Sequence, residues 1–266
     1  MTRVRIVLRL AALIVHTLVG LFCALVIFVI VGARGRAAIT RWWSKGVLRI
    51  SGMRLDIANA PRDLAELRGA LLVCNHISWI DIYVLNALIP ARFVAKAEIR
   101  GWPIIGLLAK RSGTLFIERG RRHAVHNVLQ SMAKKLKAGE PCIIFPEGTT
   151  SDGTSVLPFH ANLLQAAFEA GVPIRPLALR YLQDGATTTI PAYVGDDVLI
   201  DSVVRVFGAS HLQAQLHILA PINPRDCATR HEAAAHARSA ITGALRLPLA
   251  DTAPATGADP VPAPRP

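Results

Sequence analysis

A histidine and an aspartate follow one of the apolar runs of this chain. The run 70–73 leads into Asn75 and His76, and Asp81 comes five residues after the histidine. On one continuous helix, residues five apart lie about 140° apart around the axis, so the two side chains meet only across a turn that leads into a helix. A carboxylate that holds one imidazole nitrogen leaves the other free as a general base. The stretch alone fits equally well a helix N-terminus, where the dipole favours an aspartate.

A second apolar run, 142–145, ends in a loop of small and polar residues at 146–153. Glu147 lies there between a proline and Gly148, and Thr149 follows. Such a loop brings a carboxylate, hydroxyl groups and backbone N–H groups to one place, which suits the binding of a polar head group. An ordinary turn is the alternative, because the loop ends in an Asp-Gly pair, which is a turn signal by itself.

A third apolar run, 114–117, also ends in charged residues. Arg119 follows it, with further arginines at positions 121 and 122. A guanidinium in this position can bind a phosphate or a carboxylate with two hydrogen bonds. The same residues fit the solvated basic start of a helix equally well.

The composition indicates one domain with an appendage that contacts lipid. A chain of 266 residues can bury a full core, and a hydrophobic fraction of 52% with a mean hydropathy of +0.38 is high for a soluble protein. The net charge is +12, and its positive part lies in two blocks: residues 1–50 hold eight Lys/Arg and no acid, and residues 92–137 hold eleven Lys/Arg against two acids, while the remainder of the chain is net negative. Anionic membrane surfaces attract each such residue by about 1 kcal/mol, which explains the first block.

Nucleic acid and metal ions are disfavoured as partners. RNA-binding segments interleave aromatic with basic residues, whereas the block 92–137 holds only three aromatic side chains. The four cysteines are far apart and show no metal or redox spacing, which is typical of a reducing compartment. His231 and His236 have one residue too many between them for a zinc-binding helix.

The N-terminal segment predicts a membrane anchor. Residues 10–33 contain no Lys, Arg, Asp or Glu, and the corresponding helix of about 36 Å is long enough to cross a bilayer core. The stretch exceeds a typical signal-peptide core and lacks a small-x-small cleavage site, so we expect a retained anchor. Residues 37–50 place Trp42 and Trp43 among basic residues, which is typical of an interfacial helix; a buried amphipathic helix has the same pattern.

From residue 53, apolar runs alternate with amphipathic stretches. This alternation predicts an α/β domain with a largely parallel sheet and helices on both faces, whose ligands lie where strands end. The predicted strands are 70–74, 93–95, 114–117, 142–145, 176–180 and 215–219, and the predicted helices are 79–88, 104–111, 122–137, 162–170 and 229–245. We therefore expect an anchor with an interfacial helix at 1–52, a globular domain at 53–247 and a disordered Pro/Ala-rich tail at 248–266.

Four short blocks, read together, resemble one protein family. Asn75-His76 with Asp81 matches the N-H-x-x-x-x-D signature of glycerolipid acyltransferases of the 1-acylglycerol-3-phosphate acyltransferase type. Residues 113–119 resemble the G-x-x-F-I-x-R block of that family, 145–149 its F-P-E-G-T block and 172–176 its V-P-I-x-P block. All four appear in the family's order and cover roughly residues 70 to 180, so the domain at 53–247 resembles an acyltransferase domain with a glycerolipid acyltransferase-like fold.

The resemblance implies a reaction and roles for named residues. His76 would be the general base and Asp81 its orienting partner, and a lysolipid hydroxyl would attack the thioester of acyl-CoA or of acyl-acyl carrier protein without a cofactor or a covalent acyl-enzyme. The absence of a Gly-x-Ser-x-Gly sequence agrees with this. Because the lipid substrates are in a membrane, we expect the inner membrane with the active site facing the cytoplasm. The residues that the resemblance implies for binding of the acceptor are Asn75, Arg119, Glu147, Gly148 and Thr149. Lys96 is a further candidate as a basic residue of the same region, without a family motif behind it.

One departure from the family pattern concerns the acceptor. The family usually has an arginine after F-P-E-G-T, whereas this chain has Thr150. Lysophosphatidate, converted to phosphatidic acid, is the first expectation. Lyso-ornithine lipid, which has no phosphate, is the alternative, because 93–98 and 101–103 also resemble acyltransferases that acylate it. The second alternative is not an enzyme but a membrane lipid-binding protein without catalytic activity.

Overall fold

The central sheet has eight strands in the computed structural model, which describes residues 2–118 and 122–250. The strands are β1 (Arg54–Ala58), β2 (Leu71–Cys74), β3 (Arg92–Lys96), β4 (Leu115–Ile117), β5 (Cys142–Ile144), β6 (Ile174–Gln183), β7 (Ala186–Thr187) and β8 (Leu212–Ile218). Neighbours follow the order β1-β8-β6-β2-β5-β3-β4, and β7 pairs with the end of β6.

The five strands β6, β2, β5, β3 and β4 run parallel to one another, whereas β8 is antiparallel to β6. Every residue of β2 is buried, as is typical of a parallel strand covered by helices on both faces. Since parallel strands end at the same edge, the loops after β2, β3, β4 and β5 lie together at one edge of the sheet. The prediction of a largely parallel α/β sheet is confirmed.

Helices cover both faces of this sheet. They are α1 (Thr2–Phe22), α2 (Phe28–Ile30), α3 (Ala33–Ser51), α4 (Asp81–Leu88), α5 (Ile105–Ser112), α6 (Arg122–Lys137), α7 (Gln165–Ala170), α8 (Leu199–Gly208) and α9 (Arg230–Leu245). One core contains residues of α3, α4 and α8 against Leu72 and Cys74; the other contains residues of α6, α7 and α9 against Leu71 and Val73. The alternation of side chains along β2 therefore divides the interior into two layers.

The predicted anchor is a long helix that begins upstream of residue 10. Within the described residues, the 28-residue segment Arg3–Ile30 is the one helix long and apolar enough to cross a membrane; its most apolar stretch of 18 residues has a mean hydropathy of 2.8. A π-helical turn at Cys23–Ile27 interrupts it. Its basic N-terminus is tied to the domain, because Arg9 donates to the carbonyl oxygens of Phe207 and Ala209 at the end of α8.

Helix α3 returns along α1 and joins it to the domain. The Trp43 Nε1 donates to the His16 carbonyl at 2.9 Å, and the His16 Nε2 lies 2.9 Å from the Trp43 carbonyl. Val47 and Leu48 are buried in the core, whereas Trp42 is half exposed. The helix therefore has a buried face and an exposed aromatic residue, so it combines features of the two alternatives for 37–50.

Two strands and one helix are absent from the prediction. Strand β1 is an edge strand with one exposed residue and alternating polarity, so it lacks an apolar run. Strand β7 has only two residues, both exposed. Helix α8 follows a long loop and buries only part of its surface. Strands β6 and β8 also extend beyond the predicted bounds, because they pair with each other over seven residues.

The start of the predicted disordered tail lies against the domain. Leu249 forms a bridge with Val156, and Arg238 donates to the Ala250 carbonyl. The chain thus stays attached to the domain up to residue 250. The remainder of the predicted tail, 251–266, lies outside the described residues.

Replacement of Gly46 tests the packing of α1 on α3. A methyl group there would lie 2.4 Å from ring atoms of His16, and that ring cannot move without losing its contacts with Trp43. We expect Gly46→Ala to lower the free energy of unfolding in detergent by about 1 to 3 kcal/mol. The matched control is Gly243→Ala in α9, where a methyl group meets nothing and should be neutral or stabilising. Equal stabilities of the two variants would contradict this packing.

Candidate active site

His76 and Asp81 meet across the turn between β2 and α4. The His76 Nδ1 lies 2.8 Å from the Asp81 Oδ2. Asp81 is fully buried, and the His76 side chain is 19% exposed. A contact with a carboxylate requires the proton on Nδ1, so the imidazole presents Nε2 with its lone pair as a proton acceptor. The turn geometry expected from the spacing of the two residues is present.

The Asp81 carboxylate accepts three further hydrogen bonds. The backbone N–H groups of Ile77 and Ser78 donate to Oδ2 at 2.7 and 3.0 Å. The Tyr181 hydroxyl, from β6, donates to Oδ1 at 2.6 Å. Burial, and then the nearby Asp81 charge, raise the pKa of Tyr181, so this hydroxyl stays protonated as a donor. A buried carboxylate needs such partners, because an unpaired one costs several kcal/mol or more.

Phe145 forms one wall of the site. Its ring stacks on the His76 ring with centroids 3.8 Å apart and an interplanar angle of 11°. Phe93 of β3 lies behind it at 6.1 Å. The carboxylate on one ring nitrogen and the aromatic ring on its face together restrict rotation of the imidazole.

Glu147 has a different position from the one expected. Its side chain is buried, and its two oxygens accept from the backbone N–H groups of His76 at 2.7 Å and Leu157 at 3.0 Å. Burial raises the pKa of Glu147 from 4.5 to about 7, although these two hydrogen bonds act in the opposite direction. With both oxygens bonded inside the protein, Glu147 joins the loop after β5 to the catalytic turn rather than presenting its carboxylate to a ligand.

Further backbone contacts join three loops around His76. The Ser151 N–H donates to the His76 carbonyl at 2.8 Å, and the Tyr193 N–H donates to the Ile77 carbonyl at 3.0 Å. The Thr150 hydroxyl donates to the Tyr193 carbonyl. The turn at 75–81 is therefore held by its neighbours on two sides.

Asn75 also lies inside the protein. It is buried, and its amide pairs with the backbone of Leu179: Nδ2 donates to the carbonyl at 2.9 Å and Oδ1 accepts from the N–H at 2.8 Å. This pairing prolongs the contact between β2 and β6 by one residue. The expectation that Asn75 binds the acceptor is not supported by this geometry, because both amide atoms are already bonded.

The other expected acceptor-binding residues lie at the same edge of the sheet or outside the described residues. Gly148 and Thr149 follow Glu147 and are half-buried; Gly148 has a φ of 72°, a conformation that favours glycine. Lys96 is exposed at the end of β3, in register with Ile117 of β4. Arg119 lies outside the described residues.

Tyr181 and Phe145 are site residues without a predicted role. The predicted strand 176–180 stops one residue before Tyr181. A tyrosine within an apolar strand is nevertheless a signal, because a buried hydroxyl needs a partner. Phe145 belongs to the F-P-E-G-T block, but a phenylalanine in the sequence does not by itself indicate that its ring stacks on a histidine 69 positions earlier.

The arrangement supports proton transfer by His76 to or from a bound molecule. In the described part of the chain, no serine, threonine or cysteine side chain bonds to the His76 ring. Cys74 is buried beside the site, and burial raises its pKa well above the ordinary value, so the thiol stays protonated and is a poor nucleophile. The histidine is thus positioned to activate a hydroxyl group of a ligand rather than one of the protein.

Comparisons with known proteins agree with this chemistry. The family model described as "Acyltransferase" matches residues 57–180. A lyso-ornithine lipid O-acyltransferase of Pseudomonas aeruginosa is 37% identical over 211 residues, which cover 79% of each chain. A 1-acyl-sn-glycerol-3-phosphate acyltransferase of Neisseria gonorrhoeae is 35% identical over 60% of this chain and 62% of its own length.

A solved structure shares the fold. It is the crystal structure of the 1-acyl-sn-glycerophosphate (LPA) acyltransferase PlsC from Thermotoga maritima, with a TM-score of 0.65 over 92% of this chain and 97% of the other, at 22% identity. The matched part is longer than residues 57–180.

Removal of the Tyr181 hydroxyl tests the support of Asp81. In Tyr181→Phe the buried Oδ1 of Asp81 loses its donor. A hydrogen bond to a charged group contributes about 1.5 to 3 kcal/mol to stability. We expect kcat for acyl transfer to fall about tenfold or more, with KM changed less than about twofold. Tyr83→Phe is the control, because the Tyr83 hydroxyl bonds to none of residues 2–118 and 122–250. A Tyr181→Phe variant with the wild-type kcat would contradict the role of the hydroxyl.

The raised pKa of Glu147 predicts a dependence of stability on pH. The folded protein binds this proton more tightly than the unfolded chain does, so the contribution of Glu147 is complete below pH 4.5 and is lost as pH rises to about 7. We expect the free energy of unfolding, relative to that of Glu147→Gln, to fall by on the order of 3 kcal/mol between pH 4.5 and pH 8. Glu169→Gln, at the surface, is the control. If the free energies of unfolding of wild type and Glu147→Gln changed in parallel with pH, the contribution of Glu147 would be ruled out.

Proposed function

This chain belongs to the acyltransferase family, and on that basis we propose that it transfers a fatty acyl group from a thioester to the free hydroxyl of a lysolipid. The observation that supports this most strongly is the 2.8 Å contact between the His76 Nδ1 and the buried Asp81 carboxylate. This contact orients His76 as a general base, and acyl transfer to a hydroxyl group requires such a base.

In the proposed mechanism, the His76 Nε2 takes the proton from the acceptor hydroxyl. The oxygen attacks the thioester carbonyl, the carbon–sulfur bond breaks, and the histidine returns the proton to the leaving thiolate. Asp81 holds the imidazole in one orientation and stabilises the positive charge that it carries between the two steps. A positioned general base contributes about 10² to 10⁴ in rate.

Lyso-ornithine lipid is the acceptor that we propose, ahead of lysophosphatidate. Thr150 stands where the family pattern has an arginine, and its hydroxyl is bonded to the Tyr193 carbonyl. A phosphate at this position therefore lacks a charge-assisted contact, which is worth about 1.5 to 3 kcal/mol. The relative with the greater coverage carries the lyso-ornithine name. Lysophosphatidate is the second candidate acceptor, because the name of the Neisseria gonorrhoeae relative specifies 1-acyl-sn-glycerol-3-phosphate.

Lys96, Thr149 and Arg119 are the residues proposed to contact the acceptor. Lys96 is exposed and Thr149 half-buried at the edge where β3 and β5 end. Arg119 is proposed to contact the acceptor because it matches the arginine of the family's G-x-x-F-I-x-R block. The proposed donor is acyl-CoA or acyl-acyl carrier protein, and the proposed reaction uses no cofactor and no metal.

The proposed location is the cytoplasmic face of the inner membrane. Helix α1 contacts α8 through Arg5 and Arg9, and its continuation Cys23–Ile27 contacts α5. The opposite side of α1 exposes large apolar residues such as Leu18 and Phe22. A helix that lies along the domain and exposes an apolar side brings the catalytic edge to a lipid surface. All four cysteines are free, which fits a reducing compartment.

An acceptor comparison tests this proposal. Purified protein in detergent, supplied with acyl thioester, should release thiol faster with lyso-ornithine lipid than with lysophosphatidate. In Thr150→Arg a guanidinium replaces the hydroxyl, so we expect kcat/KM for lysophosphatidate relative to lyso-ornithine lipid to rise about tenfold or more. Thr187→Arg, on exposed β7, is the matched control and should leave the ratio unchanged.

Two results would contradict the proposal at different levels. A wild type that prefers lysophosphatidate would overturn the acceptor and leave the acyltransferase reaction intact. No thiol release with either acceptor would favour the lipid-binding protein without catalytic activity.

A further inference from the structure

A run of apolar residues is exposed where the chain leaves β3 for α5. Trp102, Ile104 and Ile105 are 40%, 47% and 38% exposed, and Pro103 between them is also exposed. Single exposed apolar residues are common at protein surfaces, but four in succession are not. We call this segment, 102–105, the apolar turn.

The backbone of the apolar turn has a conformation that is rare for its residues. The Ile105 N–H donates to the Pro103 carbonyl at 2.6 Å, and Ile104 between them has φ 63° and ψ −61°. This is a classic γ-turn, which is strained, and a β-branched residue is unfavourable at positive φ. The turn holds a large apolar side chain in an exposed position despite that strain.

The apolar turn is held by the segments on either side of it. Gly106 is buried, and a methyl group there would lie 2.4 Å from the Arg100 carbonyl oxygen. The Gly106 N–H donates to the Trp102 carbonyl, and the Trp102 N–H donates to the Ile99 carbonyl. The side chains at the tip are therefore presented by an ordered structure.

Basic side chains surround the apolar turn. Four are exposed and form no ion pair with the described residues, and one acid, Glu98, lies among them. They are Lys96, Arg100, Lys110 and Arg111. Exposed apolar residues with Lys and Arg on both sides in the chain are typical of elements that insert into an anionic interface, where the apolar residues enter the lipid and the basic residues stay at head-group depth. They also belong to the second basic block, 92–137, which the N-terminal anchor does not explain.

The apolar turn also adjoins the apolar surface of the N-terminal helix. Helix α5, which begins at Ile105, contacts the π-helical turn Cys23–Ile27, where Leu25 and Val26 are exposed. The strand that precedes the turn, β3, carries Phe93 behind the Phe145 ring. The apolar turn therefore lies between the exposed apolar residues of the N-terminal helix and the strand that leads to the edge of the sheet that holds His76.

We infer that the apolar turn is a second membrane-inserting element, which enters the acyl-chain region of a leaflet that contains anionic lipid, beside α1. The inference rests on the proposed membrane location and not on the proposed reaction. Insertion at this point places a lipid-contacting segment next to the catalytic edge, where acceptor and donor must arrive.

Fluorescence quenching tests the insertion in the full-length protein. The protein is reconstituted in vesicles of phosphatidylethanolamine and phosphatidylglycerol, and the Trp102 signal is the difference between wild type and Trp102→Phe. Lipids brominated on the acyl chain should quench at least half of that signal, and aqueous acrylamide should quench it at least threefold less than the bromolipid does. Quenching by acrylamide and not by bromolipid would overturn the inference, as would quenching by neither, which would indicate burial of Trp102 within the protein or against a second copy.

A charge reversal tests the basic residues around the turn. Arg100→Glu with Lys110→Glu should lower bromolipid quenching at Trp102 at least threefold on the anionic vesicles and leave it unchanged on phosphatidylcholine. Lys134→Glu with Lys137→Glu, exposed on α6, changes the net charge equally and should have no effect. Equal quenching for the two double variants on anionic vesicles would contradict the assignment. Thiol release in detergent, measured on the same proteins, reports separately on the proposed reaction.

Discussion

The buried carboxylate of Asp81 is the constraint on which the catalytic edge depends. It is fully buried and accepts from His76, Ile77, Ser78 and Tyr181. These donors come from the turn after β2 and from β6, so the carboxylate holds the turn in one shape and joins it to a neighbouring strand. If it loses a donor, the cost is that of an unsatisfied buried charge, and the orientation of the imidazole changes with it. Structure and chemistry therefore depend on the same atoms.

Glu147 and Asn75 have a comparable role on either side of His76. Both match family blocks, and both were expected to bind the acceptor, yet each is buried and bonded to backbone groups of the domain. A family motif can therefore contain residues that hold the site in shape as well as residues that contact the substrate. The exposed or half-buried positions Lys96 and Thr149 at the same edge remain as the proposed contacts with the acceptor.

The sequence predicted the α/β sheet, because apolar runs mark buried strands. The spacing of His76 and Asp81 allowed a contact across a turn but fitted a helix N-terminus equally well, and the resemblance to the four family blocks decided between the two. The sequence did not predict β1, whose alternating edge pattern is weak, or Tyr181, which is 100 residues from Asp81 along the chain. It also could not show that both oxygens of Glu147 are bonded inside the protein. Contacts between distant strands depend on register, and one sequence carries no direct signal for register.

In the proposed reaction His76, held by Asp81, removes the proton from the acceptor hydroxyl. The most direct measurement is thiol release from an acyl thioester by purified His76→Ala in the presence of lysolipid acceptor, with thermal unfolding used to establish that the variant is folded. We expect kcat to fall by about 10² to 10⁴, while KM for the acceptor stays within a few-fold of the wild-type value. Undiminished turnover by the folded variant would contradict this role of His76.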